Sequence, residues 1–255
     1  MPGSILNGSE RRRLIATAAV FDGDDTLWRT QPLYTSAKRR FFHEMELLGF
    51  DPLKVEPLFD RVDIANVRRF GYSKTRFPNS MVETYRRLCR AQRIRPSRLV
   101  MPKLEGIGAS VFAAAAEIYE GAPAVLAALR SWRVHLALVT KGDRAVQEKR
   151  IAESGLAEFF DQVAIVEEKT EHELLQVLER AGSRPDSSWA VGNSVRSDVN
   201  PALRVGMFAI WIPNETWHYE ADEILDQGRV KVVTSIRDVP MAIEAWISAR
   251  IAATT

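Results

Sequence analysis

Asp22, Asp24 and Asp25 crowd into VFDGDDTLW, residues 20–28, at the end of an apolar run. Carboxylates this close repel one another, and a turn accounts for one or two of them. Three predict a cation. Other polar residues with chemical potential also follow apolar runs. Thr140, Lys141 and Gly142 come at the end of VHLALVT, Lys169 stands just past VAIV, and GNSVRSD, with Asn193, Ser194 and Asp198, follows WAV. If these runs are parallel strands, their C-terminal ends collect carboxylates, a hydroxyl and lysines along one edge. Hard oxygen donors of this kind suit Mg²⁺, which takes one or two carboxylates plus substrate phosphate and water. The lysine then has an anion to neutralise.

The runs at 14–21, 134–140, 163–166, 189–191, 208–212 and 230–234 read as strands. They are rich in Val, Ile and Ala and barely alternate, as in strands buried on both faces of a parallel sheet. Helical patterns lie between them at 144–156, 171–182 and 197–206, stopped near Gly155, Gly182 and Gly206. The rhythm predicts an α/β fold, a Rossmann-like doubly wound parallel sheet with right-handed crossovers. Residues 30–120 break it. TSAKRRFFHEMELLGF, MVETYRRLCRAQ and MPKLEGIGASVFAAAAEIYE read as helices, punctuated by Pro32, Pro52, Pro78 and Pro96. This stretch is too long for a loop and is expected to be an inserted all-helical cap domain. Residues 1–29 and 121–255 would form the α/β core. Ligands of open α/β sheets bind beyond the carboxyl ends of the strands, so an insertion there would cover the ligand.

On these residues the chain resembles the haloacid dehalogenase superfamily, most of whose members are Mg²⁺-dependent phosphatases. Asp-x-Asp-x-Thr after an apolar strand is met by Asp22, Asp24 and Thr26, and a Thr ending a strand by Thr140. A lysine before the last motif strand is met by Lys169, and Gly-Asp-x-x-x-x-Asp by Gly192 and Asp198, with Asn193 where aspartate is usual. The resemblance implies hydrolysis of a phosphomonoester through an aspartyl-phosphate on Asp22, with Asp24 as general acid and base. It places Mg²⁺ on the Asp22 carboxylate and Asp24 carbonyl, with Asn193 and Asp198 as further ligands. Thr140, Lys141 and Lys169 would bind substrate, Lys169 also serving catalysis. Asn193 lowers the negative charge of the metal site. The superfamily's metal-free dehalogenases also carry an asparagine in this region, but they lack a counterpart of Asp24, and expelling a halide needs no acid. A phosphomutase on a sugar phosphate and a non-catalytic Mg²⁺ and phosphate binder are the alternative readings.

Composition narrows the partners. The 255 residues carry 35 basic and 33 acidic side chains, a formal charge of +2, which does not favour a nucleic-acid surface. No run is apolar for long enough to cross a bilayer. RRRLIATAAVF imitates a secretory signal only faintly, because the run flows straight into the acidic stretch. The leading MPGSILNGSE is expected to be a flexible tail. The single cysteine, Cys89, forms no internal disulfide and is expected in a core, so a cytoplasmic setting is expected. The resemblance implies a small phosphorylated metabolite as partner. VRRFGYSKTRF, residues 67–77, reads as a solvated basic face with packed aromatics, and PNETWHYE, residues 213–220, as a packed loop. His43, His135 and His172 show no metal-ligand spacing, and Ser194 and Arg196 read as turn and surface residues.

Overall fold

The computed structural model describes residues 18–115, 117–214 and 217–254. The expected tail and the first residues of the run at 14–21 lie outside these. The chain divides into two compact units, Met1–Arg29 with Glu117–Thr140 and Ser154–Thr255, and Thr30–Ala116 with Lys141–Glu153.

The first unit is an α/β layer structure. Its strands β1 (Ala18–Phe21), β4 (His135–Lys141), β5 (Gln162–Val166), β6 (Ser188–Gly192), β7 (Phe208–Trp211) and β8 (Val230–Val232) form a parallel sheet in the order β5-β4-β1-β6-β7-β8. β2 (Trp28–Arg29) and β3 (Glu117–Ile118) make a separate antiparallel pair. Around the sheet run α5 (Ala122–Ser131), α7 (Glu171–Arg180), α8 (Asn200–Arg204) and α9 (Val239–Thr254). Successive side chains of a strand point to opposite faces. Ala18, Val20, Ala137, Val139 and Ala190 join Leu174, Val177 and Leu178 of α7 in one core cluster. Their neighbours Ala19, Phe21, Leu136 and Leu138 are buried too, which explains why the sequence runs barely alternate. Register sets the chemistry. Phe21 pairs with Leu138 on one side and Val191 on the other, so Asp22 emerges level with Val139 and Gly192, and Thr140 lies one residue further along its strand.

The second unit is built on α1 (Gln31–Leu47), α2 (Pro52–Phe70), α3 (Arg76–Ala91) and α4 (Val100–Ala113), with most of α6 (Arg144–Ser154). Phe41, Met45, Phe59, Phe77 and Met81 are the large buried side chains of its core. Phe59 meets Phe41 at 5.2 Å and Phe77 at 5.8 Å between ring centres. Cys89 is fully buried in the same core, as expected.

Several expectations shift. Residues 52–70 form α2, and Pro52, expected only as punctuation between helices, does not break it. Pro52 is instead a starter, sitting in the first turn behind an Asp51 carboxylate that accepts the Leu53 N–H at 3.0 Å. The helix expected over 101–120 stops at Ala113, because Glu117–Ile118 pairs with Trp28–Arg29 and so falls in the α/β unit. Lys141–Glu153, expected in the α/β core, groups with the helices, and Lys149 Nζ donates to the Ala113 carbonyl at 2.6 Å. The helix expected over 197–206 is a π-helical turn, Val195–Val199, followed by α8. In the stretch 67–77, Arg68 and Arg69 are exposed, but Arg76 is buried in an ion pair with Asp63.

Candidate active site

Asp22 leaves β1 with its backbone N–H donating to the Val191 carbonyl at 2.9 Å, so the sheet itself fixes the start of the acidic turn. The turn then winds tightly. The Gly23 carbonyl accepts the Leu27 N–H at 2.8 Å, and the Asp25 N–H donates to the Trp28 carbonyl at 2.7 Å. Asp25 sits in the left-handed region at φ 59, as a turn residue does. Thr26 Oγ1 donates to Asp22 Oδ2 at 3.2 Å.

Lys169 joins the strand ends. It is buried, its Nζ donates to Asp22 Oδ1, and it also donates to Asp198 Oδ1 at 2.7 Å. The capping box of α7 holds it from the next residue: the Thr170 hydroxyl accepts the His172 N–H at 3.2 Å, and the Thr170 N–H donates to Glu173 Oε2 at 2.9 Å. Asp198 rides on the π-helical turn, where its Oδ2 accepts the Ser194 N–H at 2.9 Å. Ser194 is buried rather than at the surface. Its hydroxyl and that of Ser197 donate to the buried Glu220 carboxylate at 2.8 and 2.6 Å.

Two glycines are fitted to this cluster. A Cβ on Gly192 would lie 2.2 Å from Asp198 Oδ2, and one on Gly23 would lie 2.5 Å from the Trp28 ring and 3.2 Å from Thr140 Oγ1. Neither glycine stands out in the sequence as a packing site, because each clash partner lies further along the chain.

The electrostatics follow from the count of charges. Lys169 is one cation between two buried carboxylates. Burial raises the Asp22 carboxyl above its ordinary range, and the Lys169 ammonium, pulling the other way, leaves it pushed up to about 7. Burial alone would lower the Lys169 ammonium, but Asp198 and Asp22 hold it above its usual value, so it stays charged.

The other expected residues fall as follows. The Thr140 side chain is fully buried at the end of its strand, and its hydroxyl has no hydrogen-bond partner among the described residues. Asp24 Oδ1 accepts the Trp28 indole N–H at 2.6 Å. Lys141 groups with the helical unit, where it donates to the Tyr72 hydroxyl at 3.1 Å with the ammonium 4.3 Å from the ring centre. Asn193 is half-buried, and its backbone carbonyl accepts the Trp211 indole N–H at 2.8 Å. No group of three His, Cys, Asp or Glu side chains that could hold a metal gathers among the described residues. The donor set available is therefore two carboxylates, Asp22 and Asp198, carrying one negative charge more than Lys169 cancels. Oxygen donors with an excess of negative charge fit a small hard cation.

The family model of haloacid dehalogenase-like hydrolases matches residues 16–206, and the chain belongs to that family. Glyceraldehyde 3-phosphate phosphatase of Methanothermobacter thermautotrophicus is 29% identical over 105 residues, 39% of this chain and 46% of that enzyme. The chain thus matches just under half the length of that relative. A haloacid dehalogenase-like hydrolase from Xanthomonas campestris superposes with a TM-score of 0.76 at 27% identity, covering 92% of this chain and 98% of the other. The fold is shared with a hydrolase of the family from Bacillus subtilis, solved bound to magnesium (TM-score 0.62, 15% identity, 90% and 99% covered). It is also shared with the L-2-haloacid dehalogenase of Xanthobacter autotrophicus (TM-score 0.59, 15% identity, 90% and 99% covered).

Proposed function

We propose that this hydrolase cleaves small phosphomonoesters through an aspartyl-phosphate on Asp22, with Asp24 as general acid and base. The observation that supports this most is the Thr140 hydroxyl, buried beside the Asp22–Gly23 turn with no hydrogen-bond partner among the described residues. Leaving such a group unsatisfied costs about 1–3 kcal/mol, and a phosphoryl oxygen would satisfy it. Asp22 attacks phosphorus while the ester P–O bond breaks and Asp24 protonates the leaving oxygen. Asp24 then takes a proton from water, whose oxygen bonds to phosphorus as the bond to Asp22 breaks. Lys169 keeps Asp22 oriented by holding its Oδ1 and lowers the repulsion met by an incoming anion.

The residues fit Mg²⁺, which Asp22, Asp198, the Asp24 carbonyl and the Asn193 amide oxygen would hold. When bound, it offsets the repulsion between an anionic nucleophile and an anionic phosphate. Asn193 makes that site one charge poorer than an aspartate would. A dehalogenase is the competing reading that Asn193 favours, and Asp24 speaks against it, because a halide leaves without a proton. The similarity to a phosphatase acting on glyceraldehyde 3-phosphate makes short phosphorylated metabolites the first class to screen. A reducing cytoplasm suits a chain whose lone Cys89 is buried and free.

Hydrolysis of p-nitrophenyl phosphate by the wild type and by Asp22→Asn, with and without Mg²⁺, tests this reading. The expected result is Mg²⁺-dependent turnover that falls to background in the variant. Undiminished turnover in Asp22→Asn rejects the covalent mechanism. Absence of turnover even in Asn193→Asp at millimolar Mg²⁺ rejects the phosphatase reading.

A further inference from the structure

The bond from the Trp28 indole to Asp24 belongs to none of the motifs expected from the sequence. Trp28 is fully buried and donates its Nε1–H to Asp24 Oδ1 at 2.6 Å. Its ring leaves no room for a side chain at residue 23, since a Cβ there would come within 2.5 Å of it. The turn that carries Asp24 is also held from its other side. Asn214 Nδ2 donates to the Asp25 carbonyl at 2.6 Å and to the Tyr119 hydroxyl at 3.1 Å. An indole N–H is a donor that cannot accept. An oxygen that receives it acts as an acceptor for as long as the bond lasts.

We propose that Trp28 is a positioning residue for the acid and base work of Asp24. By donating to Oδ1 from a fixed ring, it sets the orientation of the carboxyl group that gives and takes the proton. The inference rests on the phosphatase reading and adds what aims the acid. In the first step the ester P–O bond breaks, Asp22 bonds to phosphorus, and the Asp24 carboxyl proton passes to the leaving oxygen. In the second, a water proton returns to the Asp24 carboxylate as the water oxygen bonds to phosphorus and the bond to Asp22 breaks. A carboxyl group without such a donor turns more freely about its bond to Cβ. The buried ring, seated against a glycine, restricts that freedom.

The test uses two variants at this position. Trp28→Phe removes the N–H and part of the ring. Trp28→3-benzothienylalanine keeps the ring outline and replaces the N–H by sulfur. In each, kcat/KM is measured with Mg²⁺ for phosphomonoesters graded by leaving group, from 2,4-dinitrophenyl phosphate to simple alkyl phosphates. A dinitrophenolate leaves without a proton, whereas an alkoxide needs one. The expected result is a loss of roughly tenfold or more for alkyl esters and of less than about twofold for the dinitrophenyl ester. Equal losses across the series, or none, overturn the role of Trp28 and leave the phosphatase reading standing. A wild type that hydrolyses no ester of the series overturns both. If circular dichroism shows Trp28→Phe unfolded, the sulfur isostere decides on the same criterion.

Discussion

Asp22, Lys169 and Asp198 form a trio in which one ammonium serves two buried carboxylates. The arrangement is useful for chemistry and poor for stability, because the excess negative charge is withheld from water. The folded protein holds a proton on Asp22 up to about pH 7, whereas the unfolded chain releases it near the ordinary 3.8. The favourable contribution of Asp22 to stability is therefore full below pH 4 and is lost as pH rises through 7. Asp22→Asn carries no such charge. In chelator-treated protein it should be more stable than the wild type, with a gap that opens between pH 4 and 7 and then stays level. Each unit of displacement is worth about 1.4 kcal/mol, so the gap should reach a few kcal/mol. Urea titrations at pH 4.5 and 8 would read it, and a gap independent of pH would remove Asp22 as the strained group.

At the scale of elements, the sheet register and two glycines do the positioning. Gly192 ends β6 where Asp198 folds back against it, with no space for even a methyl group. Gly192→Ala should push the Asp198 carboxylate off Lys169 and the Ser194 N–H, with kcat/KM falling about as far as in Asp198→Ala. The double variant should be no worse than either single one, because both break the same contact. Additive losses would place the effect of Gly192 elsewhere. The strands and their polar ends were legible because buried parallel strands are continuous apolar runs, and the residue after each run is the one that emerges at the edge. Lys169 could be read as an exposed helix-start residue, and only the tertiary contact to Asp22 shows it buried. Less was legible where partners are distant or the local rule is ambiguous. The hold of Glu220 on Ser194 and Ser197 spans more than twenty residues. Trp28 reaches Asp24 across a non-helical turn that no periodicity announces. The helix over 52–70 was hidden by Pro52 and Pro57, since proline both starts and breaks helices. The short β3 exists only through its pairing with β2.

For the molecule as a whole, two facts of composition meet the division into units. All six tryptophans, Trp28, Trp132, Trp189, Trp211, Trp217 and Trp246, belong to the α/β unit, and the single thiol, Cys89, belongs to the helical one. Each unit thus carries a built-in reporter that the other lacks. Indole emission follows the sheet alone, and the reaction of Cys89 with a thiol reagent follows the helices alone. Local opening is set by the weakest cooperative unit, and the helical unit has no central sheet to tie its segments together. Cys89 should accordingly become reactive at a lower urea concentration than the one at which indole emission shifts. Coincident midpoints would mean that the two units melt as one. Either way, the unmodified chain is a two-channel folding probe that needs no engineered label.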